Sequence, residues 1–168
     1  MFLVNAGARA EPSVELSGSA GFGVLAAGIT SGRFVISPNA SLSLRSERGF
    51  FVARDTVSFL GATGGRFGIN NETTVGGGLS WERVNVSAGL SLAMYSLPIC
   101  GPRLCAQVHG LAPGASARLD VFGPNFSEGL GVSVDCAAAW ITGRASPVWS
   151  GVSVRCSAGP IFRFGFHH

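Results

Sequence analysis

The sequence predicts an all-β protein, an eight-stranded antiparallel up-and-down transmembrane β-barrel, and three observations carry that prediction. Long stretches alternate apolar and polar residues with a period of two. Charged residues make up only 12% of the chain, with a mean hydropathy of +0.38. No apolar run reaches the roughly 18 residues expected of a spanning helix. Period-two alternation sends successive side chains to opposite faces of a strand. With too little charge to coat a water-facing surface, the apolar face is expected outward. A closed barrel is then the remaining way to satisfy every backbone polar group inside a bilayer.

The 168 residues suit one domain, and 25 glycines among them are many for a soluble protein. All 12 basic residues are arginine, and lysine, the usual solubilising residue of sheet edges, is absent. The net charge of +3 comes with no basic run of the kind that tracks a phosphate backbone, so nucleic acid is not an expected partner. Residues 1–10 read as a signal-peptide remnant or an expression stub, because Ala8-Arg9-Ala10 has the small-x-small look of a cleavage site. The barrel is expected over 11–166.

The strands follow in order. The first sets Val14, Leu16, Gly18, Ala20, Phe22 and Val24 against Ser13, Glu15, Ser17 and Ser19. The second sets Phe34, Ile36, Pro38, Ala40, Leu42 and Leu44 against Val35, Ser37, Asn39, Ser41, Ser43 and Arg45. Both outlast the five or six residues of an average globular strand. The third, Phe50 to Leu60, contains adjacent Arg54 and Asp55, so one of them faces lipid unless a bulge turns the chain. The fourth runs from Thr73 to Glu82 and the fifth from Val84 to Met94, joined by a tight turn at Glu82-Arg83. The sixth spans Ala115 to Val121 and the seventh Leu130 to Trp140. The eighth is the clearest. Val152, Val154, Cys156, Ala158, Pro160, Phe162, Phe164 and Phe166 lie on one parity, and Arg155 and Arg163 stand among small residues on the other.

Short links are expected at Ser46 to Gly49, Glu82-Arg83 and Gly123 to Ser127. Longer ones are expected at Ala26 to Arg33, Gly61 to Glu72, Ser96 to Gly110 and Ile141 to Pro147. Short turns at one end and long loops at the other are the habit of outer-membrane barrels. On these strands and links, and on the terminal run Phe162, Phe164, Phe166, the chain resembles the small eight-stranded outer-membrane barrels of Gram-negative bacteria. The resemblance covers nearly everything after Glu11, and no motif singles out a subfamily. It implies residence in the bacterial outer membrane and recognition of the aromatic last strand by barrel-insertion machinery. His167 and His168 follow Phe166, where that family stops on the aromatic, and read as a tag remnant over 167–168.

Aromatic placement agrees with a membrane. Trp81, Phe51, Phe164 and Phe166 fall at the turn end, and Phe34, Phe59 and Trp140 at the loop end, as two interfacial girdles. Inward parity collects Glu15, Glu82, Asp120 and Asp135 against Arg45, Arg54, Arg118, Arg155 and Arg163. Eight strands enclose only enough room for side chains, so this set is expected to form an ion-paired plug; the sharper alternative is a narrow pore for ions or small solutes. Each long loop carries an arginine, Arg33, Arg66, Arg103 and Arg144, with His109 nearby and Glu72 as the sole acid. Such a rim suits anionic lipid headgroups, since arginine binds phosphate bidentately, although four solvated arginines are the plainer reading.

Cys100 and Cys105 bracket a turn-forming Gly-Pro-Arg-Leu segment that a disulfide could pin. Cys136 and Cys156 share outward parity on neighbouring strands and fall opposite each other in a hairpin centred near Ser146. The chain has no CxxC, and its histidines are His109, His167 and His168, so neither a metal nor any other cofactor is expected. His109 lacks a sequence-local partner and there is no nucleophile elbow, so an enzyme is not expected. The glycine cluster at Gly61, Gly64, Gly65 and Gly68 lacks the ending of a phosphate loop. A soluble lipocalin-like carrier is the alternative fold reading, but it needs a charged exterior.

Overall fold

The computed structural model describes residues 13–27, 33–45, 49–63, 66–81, 83–100, 105–123, 129–141 and 151–166. Eight strands result: β1 (Ser13–Ala27), β2 (Arg33–Arg45), β3 (Gly49–Thr63), β4 (Arg66–Trp81), β5 (Val84–Cys100), β6 (Cys105–Phe122), β7 (Leu130–Ile141) and β8 (Gly151–Phe166). Each pairs antiparallel with its neighbours in sequence. The sheet closes where β1 meets β8, from Val14 opposite Phe166 to Ala27 opposite Ser153.

Parity sorts the side chains by polarity, and the sorting is the reverse of a soluble protein. Leu90, Phe164 and Val132 are 78%, 64% and 56% exposed on the outer wall, whereas Arg155 and Asp135 are 1% and 2% exposed inside. Burying one large apolar side chain is worth about 1.5–3 kcal/mol. An outer wall carrying Leu16, Phe22, Leu44, Leu79, Leu92 and Phe162 forgoes that gain many times over in water and recovers it in hydrocarbon. The protein is a transmembrane β-barrel. Phe51, Trp81 and Phe164 stand outward near the turn end, and Phe34, Phe59, Phe67 and Trp140 near the loop end. The sequence reading had not placed Phe67 in the upper girdle.

Several expectations are corrected. The link expected from Gly61 to Glu72 is mostly strand, because β3 continues to Thr63 and β4 starts at Arg66. The turn-like run Asn70-Asn71-Glu72 disguised an alternation in which Phe67, Ile69 and Asn71 face out while Asn70 and Glu72 face in. The link expected from Ser96 to Gly110 is likewise a hairpin extension, with Ser96 opposite His109 and Cys100 opposite Cys105. Pro98, Gly110 and Pro113 hid it. The regular alternation of short turns and long loops is therefore not what the backbone adopts. No bulge occurs at Arg54-Asp55: Arg54 pairs with Thr74 and Asp55 with Thr73 in unbroken register, and the shift falls between Leu60 and Thr63. Asp55 consequently points outward, midway between Phe51 and Phe59 on its strand, and accepts a hydrogen bond from Thr73 Oγ1 at 3.0 Å. Residues 1–10 and 167–168 lie outside the described residues.

Tight coiling of the wall explains several inward glycines. At the β1–β8 seam the register runs unchanged from Ser19–Ile161 to Phe22–Ala158, but the rungs between them, at Pro160 and Gly159, are missing; Pro160 has no N–H to give. There a Cβ on Gly159 would overlap the carbonyl oxygen of Ala20. Gly159→Val is expected to lower stability by about 1–3 kcal/mol through overpacking of the closing seam. The urea midpoint of the protein folded in detergent micelles measures this, and an unchanged midpoint contradicts the close approach.

Candidate functional site

The lumen is built in layers from strands that face one another across the barrel. In an eight-stranded ring β3 stands opposite β7, β4 opposite β8 and β2 opposite β6. Each central arginine uses its length to cross that gap. Arg54 of β3 places Nη2 3.1 Å from Asp135 Oδ1 of β7, an ion-pair contact rather than an aligned hydrogen bond, and donates from the same nitrogen to Ser116 Oγ at 2.8 Å. Arg155 of β8 donates from Nη2 to Asp135 Oδ2 at 2.6 Å and to Glu72 Oε2 of β4 at 3.3 Å. Thr74 Oγ1 donates to Glu72 Oε1 and shares a 2.9 Å hydrogen bond with Ser116. Two cations thus face two carboxylates, all four nearly sealed from solvent.

Below this quartet, towards the turn end, Arg118 of β6 donates from Nε to Asp120 Oδ1 at 2.6 Å and from Nη1 to Asn39 Oδ1 of β2 at 2.8 Å. Asn39 in turn donates to Ser19 Oγ. Lower still, Arg45 Nε lies 2.6 Å from Glu15 Oε2, its Nη2 donates to Glu15 Oε1, and its Nη1 donates to Ser80 Oγ. Arg163 approaches the same carboxylate at 3.6 Å. The aromatic rings of Phe50 and Phe122 lie under the guanidiniums of Arg45 and Arg163, at 5.0 and 4.2 Å. Towards the loop end the filling turns apolar, with Leu25, Val35, Leu60, Ala93, Tyr95, Ala112, Ala139 and Ile141 packed together. Among the described residues, cavities of about 10 Å³ lie among the lower charges and beside Tyr95, each about the size of one water molecule.

Of the residues expected in the lumen, Glu15, Arg45, Arg54, Arg118, Asp120, Asp135, Arg155 and Arg163 point inward and meet the partners just given. Glu82 lies outside the described residues. Glu72, expected in a loop, is corrected to the lumen: β4 starts earlier than its sequence suggested, and inward parity carries the side chain to Arg155. Sequence reading also missed the apolar upper filling, although Leu25, Val35, Leu60, Tyr95 and Ile141 share parity with the polar residues below them. Arg33 and Arg66 are corrected from loop positions to the first residues of β2 and β4, on the loop side. Arg103 and Arg144 lie outside the described residues. His109 sits on β6 and is exposed on the outer parity.

A disulfide joins Cys136 and Cys156 across β7 and β8, with Cα atoms 4.1 Å apart. The backbones of Cys100 and Cys105 are register partners, and their side chains are outside the described set. Among the described residues no group of histidine, cysteine and acidic side chains could hold a metal ion.

No protein-family model matches the chain, and no curated protein sequence does. Solved structures do. Neisserial surface protein A (NspA) is similar with a TM-score of 0.58 and 11% identity, over 90% of this chain and 97% of that one. The N-terminal β-barrel domain of Pseudomonas aeruginosa OprF is similar with a TM-score of 0.52 and 11% identity, over 90% and 97%. Both are small eight-stranded outer-membrane barrels, and the likeness is one of fold.

Removing one member of a buried ion pair strands the other and costs about 3–5 kcal/mol. Asp135→Asn, which leaves Arg54 and Arg155 with Glu72 alone, is expected to lower folding stability by about that amount. Equilibrium urea unfolding in micelles measures it; a loss below about 1 kcal/mol, the worth of an exposed pair, contradicts the cross-lumen tie.

Proposed function

We propose that the protein is an outer-membrane barrel of Gram-negative bacteria whose lumen is closed, and that it acts as a structural or surface-binding module through its loop end. The observation that supports this most is the stack of lumen fillings. A neutral quartet of Arg54, Arg155, Asp135 and Glu72 lies beneath an apolar layer, and the cavities among the lower charges and beside Tyr95 are each about the size of one water molecule. A conducting pore needs a continuous wet path with weak, exchangeable sites along it. Here each central guanidinium reaches at least one carboxylate or side-chain oxygen of the opposite wall.

The loop end is the surface left for recognition. Arg33 and Arg66 open strands there, and Arg103 and Arg144 lie outside the described residues. Their chemistry suits the phosphates of anionic lipid headgroups.

Planar-bilayer recording tests the closed lumen. The expected result is an unchanged baseline with the folded protein inserted; stable single-channel steps contradict closure and favour a pore. The same reconstituted protein tests the rim. Replacing the four arginines by serine is expected to weaken retention of lipopolysaccharide in mixed micelles. Equal retention by the variant contradicts headgroup binding.

A further inference from the structure

The lower lumen contains donors that the protein itself leaves unused. Arg54 and Arg118 are 3% and 4% exposed. Arg54 Nε and Nη1 and Arg118 Nη2 are buried without a hydrogen-bond acceptor among the described residues. Both side chains line one cavity whose lining also includes Ser41, Ser87, Glu15 and Asp120, with Ser41 Oγ sharing a 2.6 Å hydrogen bond with Ser17 Oγ. A guanidinium can only donate, so whatever meets these groups must accept. An unmet buried N–H on a charged group is costly, the more so where the medium is dry.

The carboxylates beside the cavity are not free to serve. Glu15 is held by Arg45 and Arg163, and Asp120 by Arg118 Nε. Among the described residues of this region Arg45 and Arg163 face Glu15, and Arg118 faces Asp120. The quartet above, which includes Arg54, is neutral by itself.

We propose that this cavity is a binding site for one small monovalent anion of the halide class, held between the guanidiniums of Arg54 and Arg118 and the serine hydroxyls. The cavity of about 10 Å³ accommodates an acceptor of about water size. The bound ion accepts from donors of both arginines that are otherwise without an acceptor, so it acts as part of the lumen filling. Anion binding to the folded state alone multiplies the folding constant by 1 + [L]/Kd.

Two measurements on the intact chain test this. In urea unfolding at constant ionic strength, replacing gluconate by 100 mM chloride or bromide is expected to raise the folding constant by roughly 11-fold for a Kd of about 10 mM. Arg118→Met is expected to remove that response. Crystals of the unaltered protein grown in bromide are expected to give an anomalous peak within hydrogen-bond reach of both guanidiniums. Equal stability in chloride and gluconate overturns the proposal, as does density at that position carrying no bromide signal, which assigns it to water.

Discussion

Asp135 accepts charge from two walls of the barrel at once, and the architecture depends on that meeting. Arg155 reaches it from the neighbouring strand β8 and Arg54 from the opposed strand β3, while Arg155 also holds Glu72 on β4. Four strands are thereby tied through one set of charges. Such a set is affordable only when every cation has a carboxylate, because an unpaired charge in this dry interior costs several kcal/mol. The small residues around it follow from the same need: the long guanidiniums occupy the space that Ser116, Ser157 and the inward glycines leave open.

The outer wall is the other half of the constraint. With the polar groups drawn inward, alternation sends Leu, Val and Phe to the lipid, and the backbone satisfies itself strand to strand around a ring without an edge. Asp55 is a charged departure from this rule, a carboxylate at mid-belt where the neighbouring positions are apolar or small. Thr73 lies directly across from it and supplies a hydrogen bond, which lowers but does not remove the cost of holding a polar group in hydrocarbon.

Much of this was legible from alternation alone. Strands with an uninterrupted two-faced pattern, β1, β2 and β8, have nearly the bounds read from their residues, and the pairing of Cys136 with Cys156 follows from parity plus one hairpin centre. What escaped was masked by residues with strong turn preferences. Asn70-Asn71-Glu72 and the prolines near the β5–β6 tip look like loop, yet the backbone stays paired through them because neighbouring strands offer a full ladder. That error hid Glu72, the second carboxylate held by Arg155. Which strands stand opposite each other, and so which arginine meets which acid, depends on closure of the ring and is not written in any local pattern.

The most direct test of the central claim, apolar face to lipid and charges within, is a contact measurement on the folded protein in lipid nanodiscs. Nuclear Overhauser transfer from acyl-chain methylenes should reach the Leu90 and Val132 side chains and not the guanidinium of Arg155. Transfer to Arg155 with none to Leu90 and Val132 would contradict the account.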